Sequence, residues 1–403
     1  MEEIIFGLDI GTTKVCALVG AVRGGQMQII GMGTAPSRGM RKGMIIDVQE
    51  ATAAIAQAVE KAEETSGFQL SHGLVSMAGE HISATNSSGV VAIGKNENGV
   101  TKQDIEQALD MAQNIPLPYN RQIVHVVPRR YTIDDQDVRR PIGMHGFKLE
   151  VETHIVTGDK PSLQNLAKCT ADVGINPELF VLNALASGEA VLEPSEREMG
   201  VIVADIGGGT TDIALYKDGT VWHTKVIPVG GYHITNDIAI GLRAPYEVAE
   251  EVKIQYGDCR PDQINPEYVF TVEPFGGEKI QVGRQDLAYV IEARVEELFQ
   301  LVLKEISLSG YNGMLPAGIV LTGGSANLRG MTDVAERVLR VPARVARPKN
   351  MLGLVETLQS PAYATSVGLL RWMQNENNHY QPRSRHGEWS RRFNNFVKAL
   401  LPG

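Results

Sequence analysis

Cysteine and long apolar runs are both scarce in this sequence. Its three cysteines, Cys16, Cys169 and Cys259, are too few and too scattered for a disulfide framework or a metal cluster. No stretch reaches the ~18 apolar residues that a transmembrane helix requires. The acidic N-terminus lacks the basic residues and the apolar core of a signal peptide. Together these absences predict a soluble protein of the reducing cytoplasm.

Positive charge is also in deficit. Lysine and arginine number 38 against 47 aspartates and glutamates, and the net charge of -9 argues against nucleic acid as a partner. Hydrophobic residues make up 43% and charged residues 21% of the chain, which is typical of globular proteins and excludes wholesale disorder. At ~150 residues per domain, a length of 403 residues predicts two or three domains.

A strand–turn–strand pattern occurs once in each half of the chain. The first copy runs over residues 4–19 and the second over residues 200–216. In both copies an aspartate, Asp9 or Asp205, closes the first strand and is followed by Ile-Gly, small hydroxyl residues and a second apolar strand. An internal repeat at half the chain length predicts two related lobes.

The chemistry of this pattern suits a phosphate. Glycines let the backbone approach closely, successive N–H groups form an anion-binding nest, and Lys14 adds a positive charge. Asp9 and Asp205 cannot usefully touch phosphate, but they can hold Mg²⁺ directly or through its waters. One copy alone could be a glycine-rich hairpin turn, whereas two matched copies favour a clamp on a triphosphate. The predicted phosphate contacts are Gly11, Thr12, Thr13, Lys14, Gly207, Gly208, Gly209, Thr210 and Thr211.

Two further segments complete the pattern. Residues 317–326 read as a strand running into the turn Gly323-Gly324-Ser325, where glycine would let a base or ribose lie against the backbone. Glu250 and Lys253 are three positions apart and share a face of a predicted helix. By itself such a pair is typical of a solvated surface.

Together these four segments resemble the superfamily of actin, Hsp70 and the sugar kinases. Within that superfamily the chain is most similar to the FtsA family of bacterial cell-division proteins, over nearly its whole length. The resemblance implies an α/β, actin-like two-lobed fold with a duplicated sheet-and-helix core, and it implies ATP and Mg²⁺ as cofactors. It also implies that the adenosine is contacted by Gly230, Gly231, Glu250, Lys253, Gly323, Gly324 and Ser325.

The same resemblance implies a division into subdomains. Residues 1–83 and 163–199 would form subdomain 1A, and residues 84–162 an inserted α+β subdomain, 1C. Residues 200–232 and 307–373 would form subdomain 2A, and residues 233–306 subdomain 2B. Helical periodicity predicts helices over residues 48–64, 101–113 and 286–306.

Several partners follow from the resemblance. Subdomain 2B of the family binds the C-terminal peptide of the tubulin-like protein FtsZ, and Arg294 is the candidate contact for that acidic peptide. A solvated charge on a packed helix is the alternative for such an arginine. The family also implies filaments or homo-oligomers, other division proteins bound through subdomain 1C, and a peripheral location on the cytoplasmic side of the inner membrane at the septum.

The C-terminal segment points to a membrane on physical grounds. Residues 374–387 are polar and predict a flexible linker, and residues 388–403 follow as an amphipathic helix. Its apolar residues share one helical face and its cations flank that face, as in helices that lie in an anionic bilayer surface. The alternative is a helix docked on the protein body. The predicted membrane-binding residues are Trp389, Arg391, Arg392, Phe393, Phe396, Val397, Lys398, Leu400 and Leu401.

No catalytic residue is assigned. Asn183 occupies the position where related chaperones and filament proteins have a glutamate, and an amide cannot act as a base, so ATP hydrolysis should be slow. The favoured function is an ATP-dependent polymerising adaptor. The alternative is a soluble phosphotransferase or chaperone-type ATPase of the same fold, which would have no use for a basic interfacial helix.

Overall fold

Two mixed sheets, each flanked by helices, form the two halves of the chain. The computed structural model describes residues 3–94, 99–354 and 356–374. The N-terminal part of the chain contains strands β1 (Glu3–Ile10), β2 (Lys14–Arg23), β3 (Gln26–Pro36), β4 (Met40–Arg41) and β5 (Met44–Ile45), helix α1 (Val48–Ser66) and strand β6 (His72–Met77).

A separate sheet with its own helix is inserted after β6. Its elements are β7 (Ser83–Ala92), α2 (Lys102–Ala112), β8 (Arg121–Ile133), β9 (Gln136–Val138) and β10 (Lys148–Asp159). The four strands are antiparallel in the order β7-β10-β8-β9. The predicted helix is confirmed, and it begins at a capping box in which Thr101 and Asp104 each bond the other's backbone N–H.

The chain then returns to the first lobe through α3 (Lys160–Ala171), β11 (Asn176–Leu182), α4 (Asn183–Val191) and α5 (Pro194–Met199). The first sheet has the order β11-β6-β1-β2-β3, and β1 is antiparallel to β2 but parallel to β6. Helix α1 lies directly on β3, because a Cβ atom on Gly33 would be 1.9 Å from the carbonyl oxygen of Ala58. Only glycine permits this close approach.

The second lobe repeats the plan. Its elements in chain order are β12 (Val201–Ile206), β13 (Thr211–Lys217), β14 (Thr220–Ile227), α6 (Gly231–Leu242), α7 (Tyr246–Tyr256), β15 (Val269–Val272), β16 (Ile280–Gly283), α8 (Arg284–Leu308), β17 (Ile319–Thr322), α9 (Met331–Leu339) and β18 (Ala343–Val345). The sheet order is β14-β13-β12-β17-β18. The long amphipathic helix predicted over residues 286–306 is confirmed as α8, which buries Leu287, Ile291 and Val295.

The end of the described chain departs from the expected division, which placed residues 307–373 in the second lobe. Strand β19 (Leu352–Gly353) instead pairs with β3, and helix α10 (Ala364–Gln374) packs in the first core through Val367 and Leu370. The reason is close helix packing: a Cβ atom on Gly368 would lie 1.9 Å from the carbonyl oxygen of Ala186 in α4. Helix α10 also contains Gln374, the first residue of the predicted linker.

Residues 375–403, which hold the rest of the predicted linker and the predicted membrane-binding helix, lie outside the described residues. Within the described ranges, no helix is both long enough and apolar enough to cross a bilayer.

Candidate nucleotide-binding site

The two predicted phosphate turns have the same local geometry. In the β1–β2 turn the N–H of Gly11 donates to the carbonyl of Lys14 at 3.0 Å, and in the β12–β13 turn the N–H of Gly207 donates to the carbonyl of Thr210 at 2.9 Å. In both turns an aspartate, Asp9 or Asp205, is the next-to-last residue of the incoming strand. The sequence repeat is therefore a structural repeat as well.

These turns face each other across the two lobes. A Cβ atom on Gly208 would lie 2.4 Å from the methyl carbon of Thr13, and one on Gly209 would lie 2.7 Å from the hydroxyl of Thr12. Side chains at these two positions would force the turns apart. The structure thus brings together the two sets of phosphate contacts that the sequence predicted.

Hydroxyl groups from other elements hold the carboxylate of Asp9. Ser76 at the end of β6 donates to one oxygen at 3.0 Å, and Ser366 of α10 donates to the other at 2.7 Å. Burial raises the pKa of Asp9, while the charge of Lys14 and the two hydroxyl groups oppose that rise.

Asp205 is held in the same way. One oxygen of its carboxylate accepts hydrogen bonds from Ser187 of α4 and from Thr365 of α10, the latter at 2.6 Å. Burial raises the pKa of Asp205, and these two hydroxyl groups oppose the rise. Both aspartates are therefore oriented by side chains far away in the sequence.

The positive charge of Lys14 interacts with the negative charges of both aspartates. Its ammonium donates to the carbonyl of Ala362 at 2.5 Å and is 3.2 Å from the ring centre of Tyr363. Burial lowers the pKa of Lys14, whereas the charges of Asp9 and Asp205 raise it. A cation in this position can neutralise a bound phosphate.

Asp212 is a further candidate site residue that the sequence patterns did not single out. It pairs with Asp205 across β12 and β13, where the first hairpin has Cys16 opposite Asp9. One carboxylate oxygen accepts a 3.0 Å hydrogen bond from Thr210, and the other is buried with no partner among the described residues. Burial, and then the charge of Asp205, raise its pKa well above the usual value. The sequence does show this residue, as the aspartate that follows Thr211 in the second motif.

The donor set fits Mg²⁺. Asp9, Asp205 and Asp212 supply hard carboxylate oxygens, and one oxygen of Asp212 is unpartnered. In the described part of the chain, no three potential metal ligands are grouped closely enough to enclose an ion. Mg²⁺ is commonly held by one or two carboxylates together with water and phosphate oxygens, so these aspartates could hold it beside a bound triphosphate.

The predicted adenosine residues surround the N-terminus of α6. The N–H of Gly231 and the hydroxyl of Ser325 both donate to the carbonyl of Gly207, at 2.9 and 3.0 Å. A Cβ atom on Gly230 would lie 2.7 Å from that same oxygen. Gly323 has a φ of 84°, and a Cβ there would meet the carboxylate of Asp205. The adjacent Gly324 faces open space, with one atom, a carbon of Ala362, within 4 Å of a Cβ built there.

Glu250 and Lys253 are part of this cluster rather than a solvated pair. The ammonium of Lys253 donates to Glu250 at 2.7 Å, to Thr235 of α6 at 2.8 Å and to the carbonyl of Gly231 at 3.3 Å. Its side chain is only 13% exposed. The helix α7 pair therefore packs against the start of α6, beside the second phosphate turn.

Comparisons with known proteins agree with this architecture. The family model described as cell division protein FtsA matches residues 202–368, and the model of the SHS2 domain inserted in FtsA matches residues 79–157. The cell division protein FtsA of Pseudomonas aeruginosa is 41% identical over 373 residues, which cover 92% of this chain and 89% of that protein. The chain belongs to the FtsA family. The Escherichia coli FtsA is 37% identical over 381 residues, with 92% and 90% coverage.

Solved structures of other families share the fold with this FtsA-family chain. The PilM-PilN type IV pilus biogenesis complex aligns with a TM-score of 0.66 at 16% identity, over 92% of this chain and 98% of that one. MreB5 of Spiroplasma citri bound to ADP aligns with a TM-score of 0.55 at 14% identity, over 93% and 98%. The predicted family and the predicted actin-like α/β fold are both confirmed.

The remaining predicted residues lie elsewhere. Arg294 of α8 forms a bidentate ion pair with Asp237 of α6, at 2.6 and 2.9 Å, and also bonds Glu297. Its side chain is 26% exposed, so it is a partly buried arginine with partners inside the chain. Asn183 begins α4, and its side-chain oxygen is buried without a hydrogen-bond partner in the described ranges. The predicted membrane-binding residues are outside those ranges.

Proposed function

We propose that this FtsA-family chain is an ATP-binding, polymerising adaptor of cell division. In this role it anchors the FtsZ ring to the inner face of the cytoplasmic membrane at the septum and recruits later division proteins. One observation carries the nucleotide part of the proposal. The turns that follow Asp9 and Asp205 share the same hydrogen bond and meet across the two lobes, with Thr13 against Gly208.

In the proposed complex, the phosphates lie between the two turns. Backbone N–H groups of the turns and the ammonium of Lys14 bind the phosphate oxygens. Asp9 and Asp205 hold Mg²⁺ directly or through water, and the bound cation offsets the charge of the phosphates. The buried carboxylates would gain from this because a nearby cation favours their charged form.

The nucleoside occupies the Gly207 end of the second turn, beside the start of α6. Gly230 and Gly231 let the start of α6 approach the backbone of the second turn closely, Gly324 leaves open space for a flat ring beside the backbone, and Ser325 borders that space from the β17 side. Lys253 and Glu250 border the same space and supply polar contacts for the ribose and base. The N-terminus of α6 adds a favourable dipole for the nearest phosphate.

Hydrolysis should be slow in this complex. The residue at the start of α4 is Asn183, whose amide can orient a water molecule but cannot accept its proton. ATP would then control assembly mainly by being bound. A turnover of ~1–100 per second, as in typical kinases, would contradict this expectation.

The proposed protein partners follow from membership of the FtsA family, and for the FtsZ peptide also from charge complementarity. The acidic C-terminal peptide of FtsZ would bind the second lobe near α8, where Arg294 is the candidate contact. The inserted sheet of β7–β10 would bind other division proteins, and a second copy of the chain would provide the filament contact.

Membrane attachment would come from residues 388–401. Burial of six large apolar side chains gives an upper limit of about 9–18 kcal/mol, and partial insertion and the ordering of the segment offset much of it. Three cations add about 1 kcal/mol each at an anionic surface. One segment is therefore a moderate anchor, and a filament would strengthen attachment through avidity.

Nucleotide titration of the full-length chain tests the first part of the proposal. Asp205→Ala should abolish Mg²⁺-dependent ATP binding, since it removes a predicted metal ligand at the second turn. Glu64→Ala, an exposed position on α1, serves as the matched loss of one carboxylate and should bind ATP normally. Unchanged affinity in Asp205→Ala would mean that the nucleotide binds elsewhere.

Flotation with anionic liposomes tests the second part. The double substitution Trp389→Glu and Phe393→Glu places two charges on the apolar face of the predicted helix and should release the chain while ATP binding is retained. The matched control, Asn395→Glu with Ala399→Glu, adds the same charges to the polar face of the predicted helix and should weaken attachment only through charge repulsion. Equal loss in both variants, or retained binding in the first, would refute the membrane anchor.

A further inference from the structure

The tip of the short hairpin of β4 and β5 contacts both phosphate turns. The N–H of Gly43 donates to the hydroxyl of Thr12 in the first turn at 3.2 Å. A Cβ atom on Gly209 of the second turn would lie 3.1 Å from the Cα of Lys42. The tip of this hairpin therefore touches both lobes at the same place.

Lys42 adopts a backbone conformation that lysine disfavours. Its φ is 49° and that of Gly43 is 74°, so both central residues of the hairpin turn are left-handed. Such turns usually carry asparagine, aspartate or glycine at the first of these positions. A long cationic side chain held there against its backbone preference suggests a functional reason.

Among the described residues, the ammonium of Lys42 has a single, weak partner. It lies 3.3 Å from a carboxylate oxygen of Glu80, and the two side chains are 37% and 44% exposed. Exposed ion pairs of this kind contribute little to stability, so the ammonium can leave Glu80 for another anion at little cost in free energy.

The order of contacts along the second turn gives the direction of a bound nucleotide. Gly207 is beside Gly231 and Ser325, the proposed nucleoside pocket. At the other end of the turn, Gly209 is beside Lys42. A nucleotide with its base in that pocket and its phosphates along the turn points its terminal phosphate toward the hairpin tip.

We propose that Lys42 binds the terminal phosphate of the nucleoside triphosphate, releasing Glu80 when it does so. The β4–β5 hairpin then distinguishes a triphosphate from a diphosphate, because a diphosphate is too short to reach it. A phosphate group carries more charge than one carboxylate and lies in a more desolvated space, which favours the exchange. This inference rests on the proposed nucleotide function.

The test compares ATP and ADP affinities of the full-length chain in Mg²⁺. Lys42→Gly removes the ammonium and suits the left-handed backbone, so the chain should fold at least as well as the unaltered protein. Its ATP affinity should fall about tenfold or more while its ADP affinity changes less than about twofold. Glu80→Gln removes the competing carboxylate and should leave ATP affinity equal or higher. The thermal midpoint of each variant without nucleotide checks folding.

The outcomes separate this inference from the function on which it rests. Equal losses for ATP and ADP in Lys42→Gly, or no loss for either, would overturn the role of Lys42 while the nucleotide site stands. A loss of ATP affinity in Glu80→Gln as large as that in Lys42→Gly would mean that the ion pair only braces the hairpin, and would overturn it too. If the unaltered chain binds neither nucleotide, the proposed function itself fails.

Discussion

Ser366 of α10 donates a 2.7 Å hydrogen bond to Asp9 at the end of β1, although 357 positions separate them. The preceding residue, Thr365, donates to Asp205 at 2.6 Å. The first turn of α10 thus holds both aspartates of the candidate site. Helix α10 ends at Gln374, where the predicted linker to the membrane-binding segment follows. The helix that holds both aspartates is therefore also the last described element before that segment of the chain.

The close contact between α10 and α4 should be essential to this arrangement. Gly368→Ala would place a Cβ atom 1.9 Å from the carbonyl of Ala186, so the helices must separate and carry Ser366 away from Asp9. We expect a loss of about 1–3 kcal/mol in the free energy of unfolding and weaker Mg²⁺–ATP binding.

Urea denaturation and nucleotide titration would measure both effects. Gly241→Ala in α6 is the control, because apart from its chain neighbours and the backbone of its own helix no described atom lies within 4 Å of a Cβ there. It should stabilise the helix by about 0.5–1 kcal/mol. Similar behaviour of the two variants would contradict the importance of the α4–α10 contact.

Asp212→Asn should stabilise the chain in the absence of nucleotide. Because burial raises the pKa of Asp212, the folded state binds a proton that the unfolded state has already lost above its ordinary pKa of 3.8. The free energy of unfolding therefore falls as the pH rises through that range. A neutral amide at this position does not titrate, so the variant does not lose stability in this way. We expect its free energy of unfolding to be higher by about 0.5–2 kcal/mol near pH 8.

The pH dependence provides the check on that cause. The gain from Asp212→Asn should be smaller at pH 5 than near pH 8, because the raised pKa of Asp212 lets the folded protein take up the proton as the pH falls. Asp110→Asn, at an exposed position of α2, is the control and should have little effect at either pH. An equal gain at both pH values would mean that charge is not the reason.

Local patterns predicted the two phosphate turns because every contact within each turn is made by residues close in sequence. The strand ends, the glycines and Lys14 are all part of one continuous motif, and the same is true of the capped helix α2. The placement of Glu250 and Lys253 came from the family resemblance, since spacing alone indicated only a shared helix face.

Most contacts that the sequence did not predict are between residues distant in sequence. The hydroxyl groups of Thr365 and Ser366 meet their aspartates across 160 and 357 positions, and no periodicity marks such pairs. Helix α10 is a similar case. Its apolar residues could pack in either lobe, and the close contact of Gly368 with α4 is what places it in the first. Asp212 was visible in the motif but was not distinguished from an ordinary strand residue, because only burial beside Asp205 makes it unusual.

His154 should make the stability of the chain depend on pH between 7.5 and 5.5. It joins the inserted sheet to β14, with one ring nitrogen 2.8 Å from the side-chain oxygen of Asn86 and the other 2.9 Å from the hydroxyl of Thr224. Burial, followed by the charges of His223 and Arg129, lowers the pKa of His154 to about 3 from 6.5. The unfolded chain therefore takes up a proton below pH 6.5 that the folded chain does not.

Stability should consequently be lost as the pH falls. From pH 7.5 to 5.5, His154 accounts for a decrease of about 1.4 kcal/mol in the free energy of unfolding. His154→Gln retains an amide for hydrogen bonding and should show a decrease smaller by that amount in urea titrations at the two pH values. His145→Gln, at an exposed position, is the control. Identical pH dependence in His154→Gln and the unaltered chain would refute the assignment.

Arg294 and Asp237 allow the proposed FtsZ contact to be separated from a structural role. In the structure Asp237 already occupies the guanidinium of Arg294, so an acidic peptide must compete with it. If Arg294 contacts the peptide directly, Arg294→Ala should weaken binding by up to about fivefold, the equivalent of roughly 1 kcal/mol for a partly exposed charge pair. Asp237→Asn removes the competitor and should strengthen binding.

A structural role gives a different pattern. If the ion pair only fixes α8 against α6, both Arg294→Ala and Asp237→Asn should weaken peptide binding, and both should lower the free energy of unfolding. Fluorescence anisotropy with a labelled FtsZ C-terminal peptide at low and high salt would distinguish the two cases. Opposite changes in affinity, both diminished by salt, identify a direct contact because only competition for a charge reverses sign between the two substitutions.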